Sequence, residues 1–343
     1  MRFLFRLVGV LVVVAVAWVG WWLIGARAQE EALAAWLAGR AEAGWQADYA
    51  TLDVTGFPDR FDRRVEDLVL TNPEQGWSLR APWIASSSAT FGINAFTVAV
   101  APSFTFAVPG ERIAVETAAN RLELAVEPLP SMPLDRARIT ISDLALETAG
   151  WDAGAAAFEA SVAERAADSG PENAYDFALE AGDVVLPRPL LQVLDPTGGL
   201  APRLERIELD GHAALDHTLD RDFVEAGELS ARTVVLRRAV FRWGEMALAA
   251  RGRIDADDEG LAEGEVALTL ENWRRMLRLA EESGAIRREL ARGIEGALGL
   301  ASLFGSDRDA LDVTLAFEDG RIWLGPVPVG DAPRISLPPR ARS

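Results

Sequence analysis

The only two histidines of the chain, His212 and His217, lie in a stretch that also carries Asp210, Asp216, Asp220 and Asp222. Imidazole and carboxylate together are the donor set of a zinc or related metal site. The alternation from Leu204 to Leu215 reads as a strand, however, where side chains an odd number of positions apart point to opposite faces. His212 and His217 are therefore not expected to share an ion. A second acidic group, Asp255, Asp257 and Glu259 followed by Gly260, imitates the opening of an EF-hand calcium loop. Its twelfth position, where a bidentate Glu is required, is Val266, and its flanks read as strands instead of helices. Ser86, Ser87 and Ser88 read as strand or turn residues. The chain has no G-x-S-x-G elbow, Walker loop, H-E-x-x-H pair or G-x-G-x-x-G fingerprint. Its 52 acids are too many to single out a glycosidase pair. Without cysteine there are no disulfides, thiolate metal sites or thiol nucleophiles. The sequence thus assigns no catalytic residue, no metal ligand and no cofactor, and it leaves any ligand-binding residues unassigned.

The strongest signal concerns location. Leu7 to Ala26 contains no charged residue and is bounded by Arg6 and Arg27. At about 1.5 Å rise per residue this run covers roughly 30 Å, the thickness of the hydrocarbon core of a bilayer. Arg2 and Arg6 precede it, whereas Glu30 and Glu31 follow, so the positive-inside rule keeps the N-terminus cytoplasmic and sends the rest outward. Leu7, Val14, Trp18, Trp21, Trp22 and Ala26 are the expected anchor residues, with the tryptophans at the outer interface. Ala26-Arg27-Ala28 resembles a signal-peptide cleavage site, but the apolar run exceeds a signal h-region, which favours an anchor. Residues 1–28 are read as stub and anchor, 29–44 as a juxtamembrane amphipathic helix with Leu33, Trp36 and Leu37 on one face, and 45–326 as a periplasmic domain. The Pro-rich link Glu127 to Asp135 would divide that domain into lobes 45–130 and 136–326, and 327–343 reads as a Pro/Arg-rich tail.

Beyond the helix the apolar period changes to two, the signature of strands with one buried face. Phe96, Val98 and Val100 show it, as do Phe104, Phe106 and Val108, and Leu122, Leu124 and Val126. It returns over Arg138–Glu147, Leu204–Leu215 and Thr233–Trp243. Met246 to Asn272 reads as a hairpin with an acidic turn. Leu311 to Leu324 reads as a second, turned by Asp319-Gly320, a pair suited to positive φ. Helical faces are expected from Trp273 to Ala280 and from Ala285 to Phe304, with one helical turn at Leu190 to Leu194. The fold class is mainly β: a curled antiparallel sheet, as a groove or half-barrel, with a few capping helices after one transmembrane helix.

Gly56-Phe57-Pro58-Asp59-Arg60-Phe61, Ala149-Gly150-Trp151 and the closing Asp319-Gly320-Arg321-Ile322-Trp323-Leu324-Gly325-Pro326 resemble a bacterial family, domain of unknown function 2125, of single-anchor envelope proteins. Gly56, Phe57, Pro58, Arg60 and Phe61 form its most specific segment, read as a tight turn with a buried ring. More distantly, Arg251-Gly252-Arg253-Ile254-Asp255 and the D-G-x-x-x-L-G-P ending are similar to AsmA-like proteins. That resemblance implies a curled sheet with an apolar concave side and a role in envelope biogenesis or phospholipid passage.

The net charge of −18 disfavours nucleic acid and adhesion of the domain to anionic headgroups. Eight tryptophans lie beyond the anchor and are read mainly as core. The expected function is noncatalytic: an inner-membrane-anchored periplasmic protein that handles lipid or another amphiphile, or supports envelope biogenesis. The alternatives are a partner-binding envelope domain with a sealed core, and an enzyme.

Overall fold

The computed structural model describes residues 2–336 apart from 167–170, 197, 222, 224–228, 285, 287, 302–309 and 326. Side chains are also not described for residues 2–13, 93, 289–290 and 297–301. The chain is mainly antiparallel β, and it divides into two compact units. Unit 1 comprises 1–125 with 146–149, and unit 2 comprises 126–145 with 150–343.

Unit 1 opens with helix α1 (Arg2–Glu42). The stretches read as anchor and juxtamembrane helix run on as one uninterrupted helix of 41 residues. No proline or glycine pair breaks the ladder at the charged stretch from Arg27 to Glu31, so helix propensity carries it through. It stops at Gly44, whose φ of +88° only glycine adopts freely. The N–H of Gly44 donates to Ala41 O and that of Trp45 to Arg40 O, a Schellman closure. Among the described residues no helix is long and apolar enough to cross a membrane, and the side chains of Leu7 to Val13 lie outside the described set.

Strands β1 (Gln46–Asp48) and β2 (Thr51–Thr55) both pair with β3 (Arg60–Asn72), and β3 pairs with β4 (Trp77–Ala89). β4 pairs with β5 (Gly92–Val100) and β6 (Ser103–Val108). β6 continues into β7 (Glu111–Glu116), while β8 (Ala119–Val126) returns beside β5.

Unit 2 is a meander. β9 (Leu134–Glu147), β10 (Asp152–Glu164), β11 (Ala174–Val185), β12 (Arg203–Leu215), β13 (Ala231–Trp243), β14 (Met246–Ala256), β15 (Ala262–Glu271), β16 (Ala310–Glu318), β17 (Arg321–Leu324) and β18 (Val327–Asp331) each lie antiparallel to the next from β10 onward. The β16–β17 turn has Asp319 and Gly320 at φ +51° and +71°, as the Asp-Gly pair demands. The stretch read as a tail begins with β18, so its first five residues belong to the sheet. Helix α2 (Arg188–Leu194) forms the expected turn among the prolines. Helices α3 (Trp273–Glu282) and α4 (Arg288–Ala301) lie between β15 and β16. They place Trp273 and Ile294 against Leu311, with Leu270, Leu277 and Val313 packed around them.

Candidate functional site

Two arrangements have the residue types and geometry to do something beyond holding the sheet together: a clasp on α1 in unit 1, and the two faces of the sheet in unit 2.

The clasp is built by the Gly56–Phe61 segment. Gly56 sits at φ +98°, and a Cβ there would meet Arg60 O at 2.9 Å, so the turn closes only around glycine. The Phe57-Pro58 peptide is cis, and Arg60 N–H donates to Gly56 O at 3.2 Å. This turn delivers three groups to one tryptophan. The Phe61 ring stacks on Trp22 with centroids 5.5 Å apart, and Phe57 meets the same indole edge-on at 5.5 Å. Trp22 Nε1 donates to the backbone O of Arg60 at 3.1 Å, which satisfies its polar end. Gly25, one turn along α1, lets Phe61 close in, since a Cβ there would lie 3.0 Å from Phe61 Cζ. Further along, Leu37 is buried against Val65 and Leu68, with Leu33 packed at the margin. Trp22, Ala26, Leu33 and Leu37 thus form one stripe at helical spacing, turned toward β3.

Of the six expected anchor residues, Trp22 and Ala26 are covered by protein. Val14 and Trp21 are exposed and Trp18 is half-buried, while the side chain of Leu7 lies outside the described set. The signal separating Trp22 from Trp21 was available only through the turn that receives it. Beneath the helix, Arg63 donates from Nη2 to Ser88 Oγ at 2.9 Å, and burial lowers its pKa against the opposing pull of Asp62. Ser87 Oγ donates to its cross-strand partner Asp62 Oδ1 at 2.6 Å, on the face opposite to that shared by Phe61, Arg63 and Ser88.

In unit 2 the register sorts residues by face. Phe158, Ala181, Ile207, Phe241, Leu248, Leu270 and Leu311 are successive cross-strand partners from β10 to β16. The next row runs Ala160, Leu179, Leu209, Ala239, Ala250, Leu268 and Val313. Directly opposed residues share a face, so these two rows make the middle of one side of this sheet apolar. Its β14–β16 portion is covered. α3 and α4 pack on Leu270, Leu311 and Val313, and Ala332 and Ile335 pack with Ala250, Leu268 and Leu315. Over β10–β13 the middle of the face belongs to no buried cluster among the described residues. Phe158, Leu179, Ile207 and Leu209 stay partly exposed there, and Phe241 is 37% exposed.

The opposite side is polar. A bulge between Leu236 and Ala239 turns Arg237 and Arg238 to the same side, where strict alternation would separate them. Arg238 pairs with Glu208 at 3.1 Å. Arg237 donates to both oxygens of Asp210, at 2.6 and 3.0 Å, and to Asp176 Oδ1 at 2.8 Å. A depression of about 760 Å³ lies on this side over β13–β16, lined by Ala249, Ala267, Thr269 and Asp312 and flanked by Arg237 and Arg251. It is not the apolar trough implied by the AsmA-like resemblance.

Hydrogen bonding from Arg237 holds the Asp210 carboxyl below the usual carboxylate range. A depressed folded pKa contributes stability that is present above the unfolded value of about 3.9 and is lost as pH falls through the folded one. Arg237→Gln is therefore expected to lower the urea midpoint at pH 7 and to have progressively less effect below about pH 4. Parallel denaturation curves at the two pH values check this.

β12 ends at Leu215, so His217 lies past the strand whose alternation set it apart from His212. His212 is cross-strand from Asp176, and burial, then the nearby Arg165, lowers its pKa. Among the described residues no three His, Asp or Glu side chains gather as a metal site would require. Asp216 instead accepts from Ser230 and Ser336, and Asp220 from the N–H of Phe223; Asp222 lies outside the described residues. Asp255 pairs with Arg253 and Thr233. Asp257 Oδ1 accepts the N–H groups of Glu259 and Leu261, so this acidic run serves its own turn.

A helix clasped onto an antiparallel sheet, followed by a meander, defines a mainly β protein. The model of a family described as "uncharacterized protein conserved in bacteria (DUF2125)" matches residues 22–333, and the chain belongs to that family. The match begins at Trp22, the residue the clasp holds. No curated protein and no solved structure matches the chain, so the AsmA-like resemblance has no support from these comparisons.

Proposed function

We propose that this is a noncatalytic envelope protein, anchored in the bacterial inner membrane by the N-terminal part of α1, whose periplasmic unit 2 handles a phospholipid or similar amphiphile. The observation that carries the reading is the incompletely covered apolar face over β10–β13. In water such a face costs about 25 cal/mol per Å² of apolar surface, and acyl chains laid across the strands would remove that cost. We take this face, curled into a groove, as the binding surface, and the polar side with its Arg237 network as the solvent side. The uncharged run Leu7–Ala26 and the flanking Arg2 and Arg6 support the anchor and its orientation. The strongly acidic net charge fits a partner other than nucleic acid.

The test is photo-crosslinking of the full chain in phospholipid nanodiscs containing a photoactivatable phospholipid, with labelled peptides mapped by mass spectrometry. Label is expected on β10–β13 as well as on α1, and Leu209→Asp is expected to reduce the β10–β13 label about tenfold, the equivalent of about 1.4 kcal/mol. Label confined to α1 would sink the lipid reading and leave the apolar face to a protein partner.

A further inference from the structure

We infer that unit 1 touches the bilayer a second time, through a collar of rings in which the β4–β5 turn joins α1, and that its partner is the interfacial layer of a phospholipid membrane. Phe91 stands at the tip of that turn and is 76% exposed, an unusual position for a phenylalanine. It does not point away from the protein. Its ring lies 4.9 Å from that of Trp18 and 5.7 Å from that of Trp21, and those two indoles stack at 5.3 Å. Phe57, 49% exposed, flanks the same helix from the clasp. Four large rings from three separate places in the chain therefore gather around one level of α1 without being buried.

The occupant follows from what adjoins the collar. Toward the N-terminus, α1 carries no charge between Leu7 and Ala26, and Val14 and Val16 are more than half exposed. Toward the C-terminus, charged residues begin at Arg27 and the helix is seated on β3. The rings thus mark the boundary between a helix surface that water solvates poorly and a domain with charged edges. Aromatic side chains concentrate at that level of a membrane because one end is apolar and the rim tolerates headgroups. Trp22 differs from its neighbours: its indole N–H is already taken by Arg60 O, so it serves the clasp and not the lipid. The inference rests on the proposed anchoring and adds that the sheet itself is seated against the outer leaflet.

The absence of cysteine allows a clean test. In the full chain, Phe91→Cys and, separately, Glu74→Cys would be labelled with an environment-sensitive fluorophore and reconstituted in phosphatidylcholine–phosphatidylglycerol vesicles containing shallow doxyl lipids. Glu74 is the control, in the turn at the far end of β3, about 40 Å along the strand at 3.3 Å per residue. The Phe91 label is expected to lose roughly half its emission or more to the interfacial quencher, and the Glu74 label to lose little. Flotation of the protein with vesicles while the Phe91 label stays unquenched would overturn the collar and leave the anchor standing. Shielding of that label from aqueous iodide without lipid quenching would assign the rings to a second protein surface and likewise overturn it. Failure to float at all would remove the anchor and the collar together.

Discussion

Phe61→Ala is expected to lower the stability of unit 1 by about 3–5 kcal/mol, the range for deleting a buried aromatic side chain. Phe61 is 2% exposed, so little solvent relieves the void. The substitution also strips Trp22 of its stacking partner and leaves Ala26 and Val54 facing a hole. The measurement is urea denaturation of the full chain in detergent, with amide exchange over β3 reporting unit 1 separately. A double-mutant cycle with Trp22→Ala is expected to show a coupling of about 0.5–1.5 kcal/mol. Additive effects would mean that the two rings are neighbours without interacting. A fragment cut at residue 29 lacks Trp22 and Ala26 and is expected to behave as this variant does.

In unit 2 the counterpart is Trp273→Ala, also expected to cost about 3–5 kcal/mol. Trp273 is 1% exposed and centres the cluster by which α3 and α4 cover β15 and β16. Arg274 lies over its ring at 4.3 Å, which adds a cation–π contact on the same side chain. Among the described residues its buried Nε1 has no hydrogen-bond partner, and a donor left unsatisfied costs about 1–3 kcal/mol. Trp273→Phe removes that donor along with part of the ring, so it is expected to lose much less than the alanine variant. Urea midpoints for the pair read the difference, and equal losses would show that volume alone governs the position.

The parts of the fold legible in sequence were those where local pattern and tertiary demand agree. The hairpins β14–β15 and β16–β17 alternate cleanly and carry the turn residues their geometry needs. β10 escaped because its Ala-Gly-Ala-Ala-Ala-Phe run has helix-forming composition; pairing with β11 along nearly its whole length overrides that preference. β3 escaped because Arg63, Arg64, Glu66 and Asp67 break the alternation, and Asp67 at φ +51° interrupts its period. The G-F-P-x-R-F segment could be read as a turn with a buried ring, but what the ring is buried against could not. Trp22 is 39 positions earlier in an apolar run where three tryptophans look alike. The polar network of unit 2 was hidden for another reason. Arg237 and Arg238 are consecutive, and only a bulge, which leaves no clear mark in sequence, turns both to the same side.

The unbroken helix α1 has a mechanical meaning under the proposed anchoring. A domain tied to a membrane by a loop can tumble and sample a range of heights, whereas one whose span continues as its own packed helix has no swivel. The stripe of Trp22, Ala26, Leu33 and Leu37 fixes the azimuth of the span relative to unit 1, and the clasp fixes how far it protrudes. Any turning of the span about its axis would therefore be transmitted to the sheet as torque instead of being absorbed by a linker.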